Sequence, residues 1–161
     1  MLRPGDTAPA FTLPDHTGAP VTLAGLLTAG PLILFFYPAD FTPICTAEAC
    51  AFRDAYAELA AAGFSVAGIS PQAPESKSRF RVRHALPYPL LADPTRATIR
   101  AYGAATFLGL PLPFGVRRVT YLISPQATVV DALTADLRIA PHEAFLRRLL
   151  PPPSGEVTLR R

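Results

Sequence analysis

Two short stretches of this chain are apolar at almost every position instead of at every second one. Pro31 to Tyr37 (Pro-Leu-Ile-Leu-Phe-Phe-Tyr) is the first, and Phe64 to Ser70 (Phe-Ser-Val-Ala-Gly-Ile-Ser) is the second. Runs of this length read as strands covered on both faces, as in the middle of an α/β sheet. Pro38 stops the first run, because proline cannot donate to a strand ladder. Thr42 then offers a good N-cap and Pro43 a preferred first helical residue. From there to about Ala62 the chain is rich in helix formers, and Gly63 is the natural stop. Further helices are expected from about Ala73 to His84, near Pro94 to Tyr102, and over roughly Pro141 to Leu150. Two strands, about Arg118 to Ser124 and Thr128 to Ala132, would pair around the Ser124-Pro125-Gln126 turn. A β-α-β then β-β-α order predicts an α/β fold, a central mixed sheet with helices on both faces.

Composition narrows the class without changing that picture. At 161 residues, half of them hydrophobic, the chain is expected to be globular, with one domain over residues 1–150. Pro151-Pro152-Pro153-Ser154-Gly155 opens a tail, residues 151–161, that cannot be helical and is expected to be mobile. Gly103 to Pro113 reads as an apolar Gly/Pro/Leu loop near the active site or a partner surface. Residues 1 to 30 lack the basic start and apolar stretch of a signal peptide, and no run reaches transmembrane length. A cytoplasmic protein without membrane contact is therefore expected. The net charge of +3 comes from 14 scattered arginines and a single lysine, Lys77, set against 12 acidic residues. That dispersion argues against a nucleic-acid surface. Two cysteines in such a chain point to redox or catalytic use over a structural bridge. His16, His84 and His142 are far apart in sequence, so no metal ligand set emerges and none of the three is assigned chemistry.

Both cysteines fall in Pro38-Ala39-Asp40-Phe41-Thr42-Pro43-Ile44-Cys45-Thr46-Ala47-Glu48-Ala49-Cys50. Cys45 lies in the first turn of the expected helix, where free N–H groups and the positive end of the dipole favour an anion, and the thiolate is the reactive form of cysteine. Cys50 follows five residues later. Ideal helix geometry sets their α-carbons roughly 8–9 Å apart, beyond the ~7 Å a disulfide tolerates. Either the two never bond, or the first turns of the helix unwind during function. Glu48 could orient an arginine near this site or could be an exposed first-turn carboxylate.

The stretch Tyr37 to Asp54 resembles the active-site segment of peroxiredoxins, in particular the PrxQ or bacterioferritin-comigratory type with a second cysteine five residues after the first. The match to Pro-x-x-x-Thr/Ser-x-x-Cys implies Pro38, Thr42 and a peroxidatic Cys45, with Cys50 as the resolving cysteine. Gly115 to Ile123 resembles the family's arginine-bearing strand, and its register implies Arg118 as the catalytic arginine, with Arg117 in reserve. Neighbours on a strand face opposite sides, so only one of the two can point at Cys45. Pro4 to Asp15 looks like the family's N-terminal hairpin region, and Leu86 to Asp93 like its central loop before a helix. Two departures stand out: Ile44 replaces a common glycine, and Ser124-Pro125 replaces an acidic residue.

The resemblance implies a thioredoxin-like fold and a thiol peroxidase acting on hydrogen peroxide and organic hydroperoxides. It further implies an intramolecular disulfide, a thioredoxin-like reductant, a monomer, and no cofactor or metal. Two rival readings share the fold. A thiol–disulfide oxidoreductase would need Cys-x-x-Cys, but Thr42 holds the first position. A redox sensor would change shape without turnover.

Overall fold

The computed structural model describes residues 1–106 and 115–150. The expectations for residues 151–161, and for the Gly103–Pro113 loop beyond residue 106, lie outside the described residues. The elements run β1 (Thr12–Pro14), β2 (Pro20–Thr22), α1 (Leu23–Leu26), β3 (Leu32–Phe36), α2 (Pro43–Ala61), β4 (Ser65–Ser70), α3 (Pro74–Arg83), β5 (Leu90–Ala92), α4 (Ala97–Ala101), β6 (Val119–Ile123), β7 (Val129–Thr134) and α5 (Ala140–Leu149). A five-stranded sheet has the order β5-β4-β3-β6-β7, and β1 and β2 form a separate hairpin. Strands β3, β4 and β5 are mutually parallel, whereas β6 runs antiparallel to both β3 and β7. The sheet is therefore mixed, as the element order requires.

Strand β3 is central, and its side chains divide the core. Leu32, Leu34 and Phe36 enter one cluster with Leu23 of α1, Ile99 of α4 and the hairpin residue Leu13. Ile33, Phe35 and Tyr37 enter the other with Ala49, Phe52 and Leu59 of α2, Phe80 of α3, and Phe145 and Leu146 of α5. This is why the run is apolar throughout: a strand with helices on both faces has no polar side. Phe35 stacks on Phe52 at 4.4 Å between centroids and meets Tyr88 edge-on at 5.8 Å, which fixes α2 against the sheet. The opposing position on β4 is Gly68, where a Cβ would come within 2.6 Å of the Phe35 ring. The ring therefore occupies the space a side chain would need.

Some elements differ from the sequence reading. Leu86–Asp93, expected as a loop, carries the edge strand β5. Strand β1 lies within the Pro4–Asp15 stretch likened to a hairpin region, whereas β2 and the four-residue α1 have no counterpart in that reading, being too short to show a period. Arg118 stands one residue before β6, and β7 extends to Thr134. No helix among the described residues is long and apolar enough to cross a membrane.

Candidate active site

The chain leaves β3 at Phe36 and must turn through Pro38–Phe41 to enter α2. Phe41 adopts φ 64°, a left-handed backbone that is uncommon for an aromatic residue. Thr42 takes the N-cap position with extended backbone and Pro43 opens the helix, as expected. The cap itself is different. The Thr42 hydroxyl donates to the Ala39 carbonyl at 3.1 Å, and no side chain caps the first turn. Cys45 is the third helical residue and is buried. Its first-turn position therefore offers main-chain N–H groups and the positive end of a 19-residue helix.

Strand parity brings Arg118 to the sulfur. On β6, Thr120 and Leu122 face α2 and α5, while Val119, Tyr121 and Ile123 face the opposite cluster. Arg118 shares the parity of Thr120, and its Nη2 lies 3.3 Å from Cys45 Sγ. Nη1 of the same guanidinium donates to Glu48 Oε2, and Nε reaches the Asp136 carbonyl at 3.4 Å. Asp136 Oδ1 also accepts from the Arg118 main-chain N–H at 2.9 Å. Arg117 turns the other way and pairs with Asp136 Oδ2 at 3.2 Å. Burial works against the Arg118 charge, but Glu48 and Cys45 more than offset it and hold the guanidinium above its ordinary pKa.

Glu48 and His142 belong to this cluster. Glu48 is fully buried in the second turn of α2, not exposed in the first. Burial pushes its carboxyl up to about 7 although Arg118 pulls the other way. Its Oε1 has no hydrogen-bond partner and lies 3.5 Å from His142 Nδ1. His142 Nδ1 is also 2.8 Å from Thr120 Oγ1, and Nε2 is 3.3 Å from the Ala135 carbonyl. Burial lowers His142 to about 4, so the ring is neutral. A period-based signal for both residues exists. Cys45, Glu48, Ala49 and Phe52 form one buried stripe of α2, and His142, Phe145 and Leu146 one of α5.

A second polar cluster anchors the loop before Cys45. Lys77 is fully buried, with Nζ 3.1 Å from Asp40 Oδ1 and 3.2 Å from the Tyr37 hydroxyl, and it also contacts Ser70 Oγ. Asp40 accepts in addition from Tyr37 at 2.7 Å and from Ser76 at 2.7 Å. Gln72 donates to the Pro38 carbonyl at 3.3 Å. Desolvation lowers Lys77 to about 8 despite Asp40. The loop is thus tied to β4 and α3 on its far side from Arg118.

Cys50 is half-buried in the same continuous helix, and both cysteines are free. In this state the pair cannot bond, because α2 keeps them on different faces. Just before Cys50, the Ala49 carbonyl accepts from the buried Tyr88 hydroxyl at 2.6 Å. Around Cys45 lies a pocket of about 450 Å³, lined by Pro38, Thr42, Pro43, Ile44, Val116, Arg118, Asp136 and Leu137. Four of the five sequence-predicted site residues (Pro38, Thr42, Cys45, Arg118) meet at this pocket, and Cys50 stands apart from it. A buried cysteine with a guanidinium on its sulfur, beneath an otherwise apolar pocket, can bind a small polar group with an apolar tail.

Comparison with known proteins points the same way. The AhpC/TSA family matches residues 4–132. A peroxiredoxin of Mycobacterium tuberculosis is 42% identical over 150 residues, covering 91% of this chain and 94% of its own. The crystal structure of peroxidoxin BcpB from Mycobacterium tuberculosis superposes with a TM-score of 0.82 at 37% identity, over 92% of this chain and 98% of that one. Peroxiredoxin Q of Xanthomonas campestris gives a TM-score of 0.78 at 30% identity, over 86% and 89%.

Proposed function

The chain belongs to the AhpC/TSA family and is a peroxiredoxin of the PrxQ or bacterioferritin-comigratory type, and from that premise we propose how its residues carry out the reaction. The Cys45 thiolate attacks the terminal oxygen of a hydroperoxide. An S–O bond forms as the O–O bond breaks, the sulfur is oxidised to a sulfenic acid, and the departing oxygen takes a proton and leaves as water or an alcohol. Arg118 Nη2, on the sulfur at 3.3 Å, stabilises charge first on sulfur and then along the breaking O–O bond. That contact is the observation on which the proposal rests. The uncapped first turn of α2 supplies N–H donors for the peroxide oxygens, and the Thr42 hydroxyl, held by Ala39, keeps lone pairs available toward the pocket. Pro38 shields the sulfur from water.

Resolution follows on Cys50. Its thiolate attacks the sulfenic sulfur, an S–S bond forms, and the hydroxyl leaves as water once protonated. Because α2 holds the two cysteines too far apart, this step requires the helix to unwind between them. A thioredoxin-like dithiol then reduces the disulfide. Pro43, Ile44, Val116 and Leu137 around the pocket support alkyl hydroperoxides as substrates beside hydrogen peroxide.

The test is steady-state peroxide consumption with a thioredoxin couple, for the wild type and Cys45→Ser. Saturable turnover that vanishes in the variant supports the proposal. Turnover that survives without Cys45 excludes it, and a single oxidation event without turnover supports a sensor instead.

A further inference from the structure

The polar contacts behind Arg118 do not follow from the reaction above. The guanidinium stands between two groups that can each carry a negative charge, Cys45 Sγ on Nη2 and Glu48 Oε2 on Nη1. All three are buried, so two anions on one cation would leave an uncompensated charge inside the protein. One proton is therefore needed at the site. The arrangement around Glu48 Oε1 shows where it resides.

His142 Nε2 faces the Ala135 carbonyl, which can only accept, so Nε2 carries the ring hydrogen. Nδ1 is then a bare lone pair. The Thr120 hydroxyl donates to it at 2.8 Å, and Glu48 Oε1 faces it at 3.5 Å. A carboxylate oxygen against a lone pair is repulsive, and Oε1 has no other partner. Protonating Oε1 turns the same contact into a hydrogen bond, with the rotatable Thr120 hydroxyl yielding its place.

We propose that His142 is a positioning residue for the peroxidase reaction: its Nδ1 lone pair holds a proton on Glu48 Oε1 while Cys45 is a thiolate, leaving Arg118 committed to the sulfur. The proton balance is simple. With Cys45 as a thiol, Glu48 is the carboxylate on Arg118. With Cys45 as a thiolate, the proton sits on Oε1, and the buried site keeps one negative charge in either form. Arg118 from the segment before β6 and His142 from α5 lie against Glu48, and Tyr88 from the segment before β5 is near enough to feel its charge, while Cys45 and Thr120 reach it only through Arg118 and His142. Asp136 approaches Arg118 from the segment after β7. The direction in which burial moves both groups, Glu48 up and His142 down, agrees with a neutral acid against a neutral ring.

Infrared difference spectroscopy of the reduced full chain near neutral pH tests this without turnover. It therefore separates failure of the proposal from failure of the peroxidase reading, on which only the kinetic arm rests. The wild type should show the C=O band of a protonated carboxyl that Glu48→Gln lacks, and His142→Leu should shift that band to higher frequency. His142→Leu should lose about fivefold in peroxide rate near neutral pH, the equivalent of one hydrogen bond. His142→Gln, whose side-chain carbonyl can accept Oε1–H, should recover most of that loss. No acid band assignable to Glu48, or a band unmoved in both His142 variants, overturns the proposal. If His142→Leu does not fold, the wild-type band and His142→Gln decide.

Discussion

Replacing Tyr88 with phenylalanine tests whether the helix carrying both cysteines must open. The Tyr88 hydroxyl is buried and donates to the Ala49 carbonyl at 2.6 Å, between Cys45 and Cys50. That carbonyl keeps its ordinary helical partner in the variant, so no polar group is left wholly unsatisfied. The loss is then one net hydrogen bond, about 1 kcal/mol, or about fivefold in the equilibrium between wound and unwound helix. The ring stays in place against Phe35, so packing is unchanged. Tyr88→Phe should form the Cys45–Cys50 disulfide about fivefold faster after sulfenic acid formation, and it should survive high peroxide with correspondingly less over-oxidation. Stopped-flow mixing with rapid quench and mass analysis follows the first. Amide exchange over residues 44–50, measured in the reduced protein, should accelerate by the same factor. A variant with lowered global stability but unchanged exchange and resolution rates would refute the reasoning, since the bond would then persist through the opening.

Other expectations concern the charges. Arg118→Met should lower kcat/KM for hydroperoxides by about 100- to 1,000-fold, the cost of one preorganised donor. Arg118→Lys should recover little, because an ammonium cannot fork between Cys45 and Glu48. Lys77→Met strands Asp40 in the interior and should cost about 3–5 kcal/mol by urea unfolding, of which the added Asp40→Asn should restore a large part. Glu48 has a folded pKa of about 7 against 4.5 in the unfolded chain, so its contribution is fully present below pH 4.5 and is lost as pH rises to about 7, by about 3 kcal/mol. His142, lowered to about 4 from 6.5, gains stability with rising pH over an overlapping range. The wild type should therefore be nearly flat there, while Glu48→Gln gains stability as pH rises from about 4 to 6.5. Parallel unfolding midpoints against pH for the two proteins would contradict the Glu48 shift, and a flat profile in Glu48→Gln would contradict the His142 shift.

What the sequence disclosed depended on length and period. Strand β3 was legible because seven neighbouring positions lacked charge, and α2 because Thr42, Pro43 and Gly63 marked its ends. Three-residue strands such as β5 show no period and escaped. At the site, Cys45 and Arg118 were legible through motif and strand parity. Thr42 was placed correctly, but its hydroxyl bonds Ala39 instead of capping the helix. Glu48 was left open between an arginine partner and an exposed carboxylate, and Lys77 and His142 were not assigned, since charged or titratable residues are seldom fully buried unless paired and their partners are distant in sequence. Arg118 lies 70 residues from Glu48 and Asp40 lies 37 from Lys77. Their positions on buried helical stripes were the available clue, as was a single lysine in a chain that otherwise uses arginine.

The central claim is that Cys45 is oxidised by peroxide and resolved by Cys50 through an opened α2. Intact mass of the reduced protein after one equivalent of hydrogen peroxide, without reductant, followed by a non-reducing peptide map, tests it most directly. A monomer lighter by about 2 Da, with Cys45 and Cys50 joined, is the predicted result. A gain of about 16 or about 32 Da on Cys45, with Cys50 still free, would contradict it and assign resolution to an external thiol.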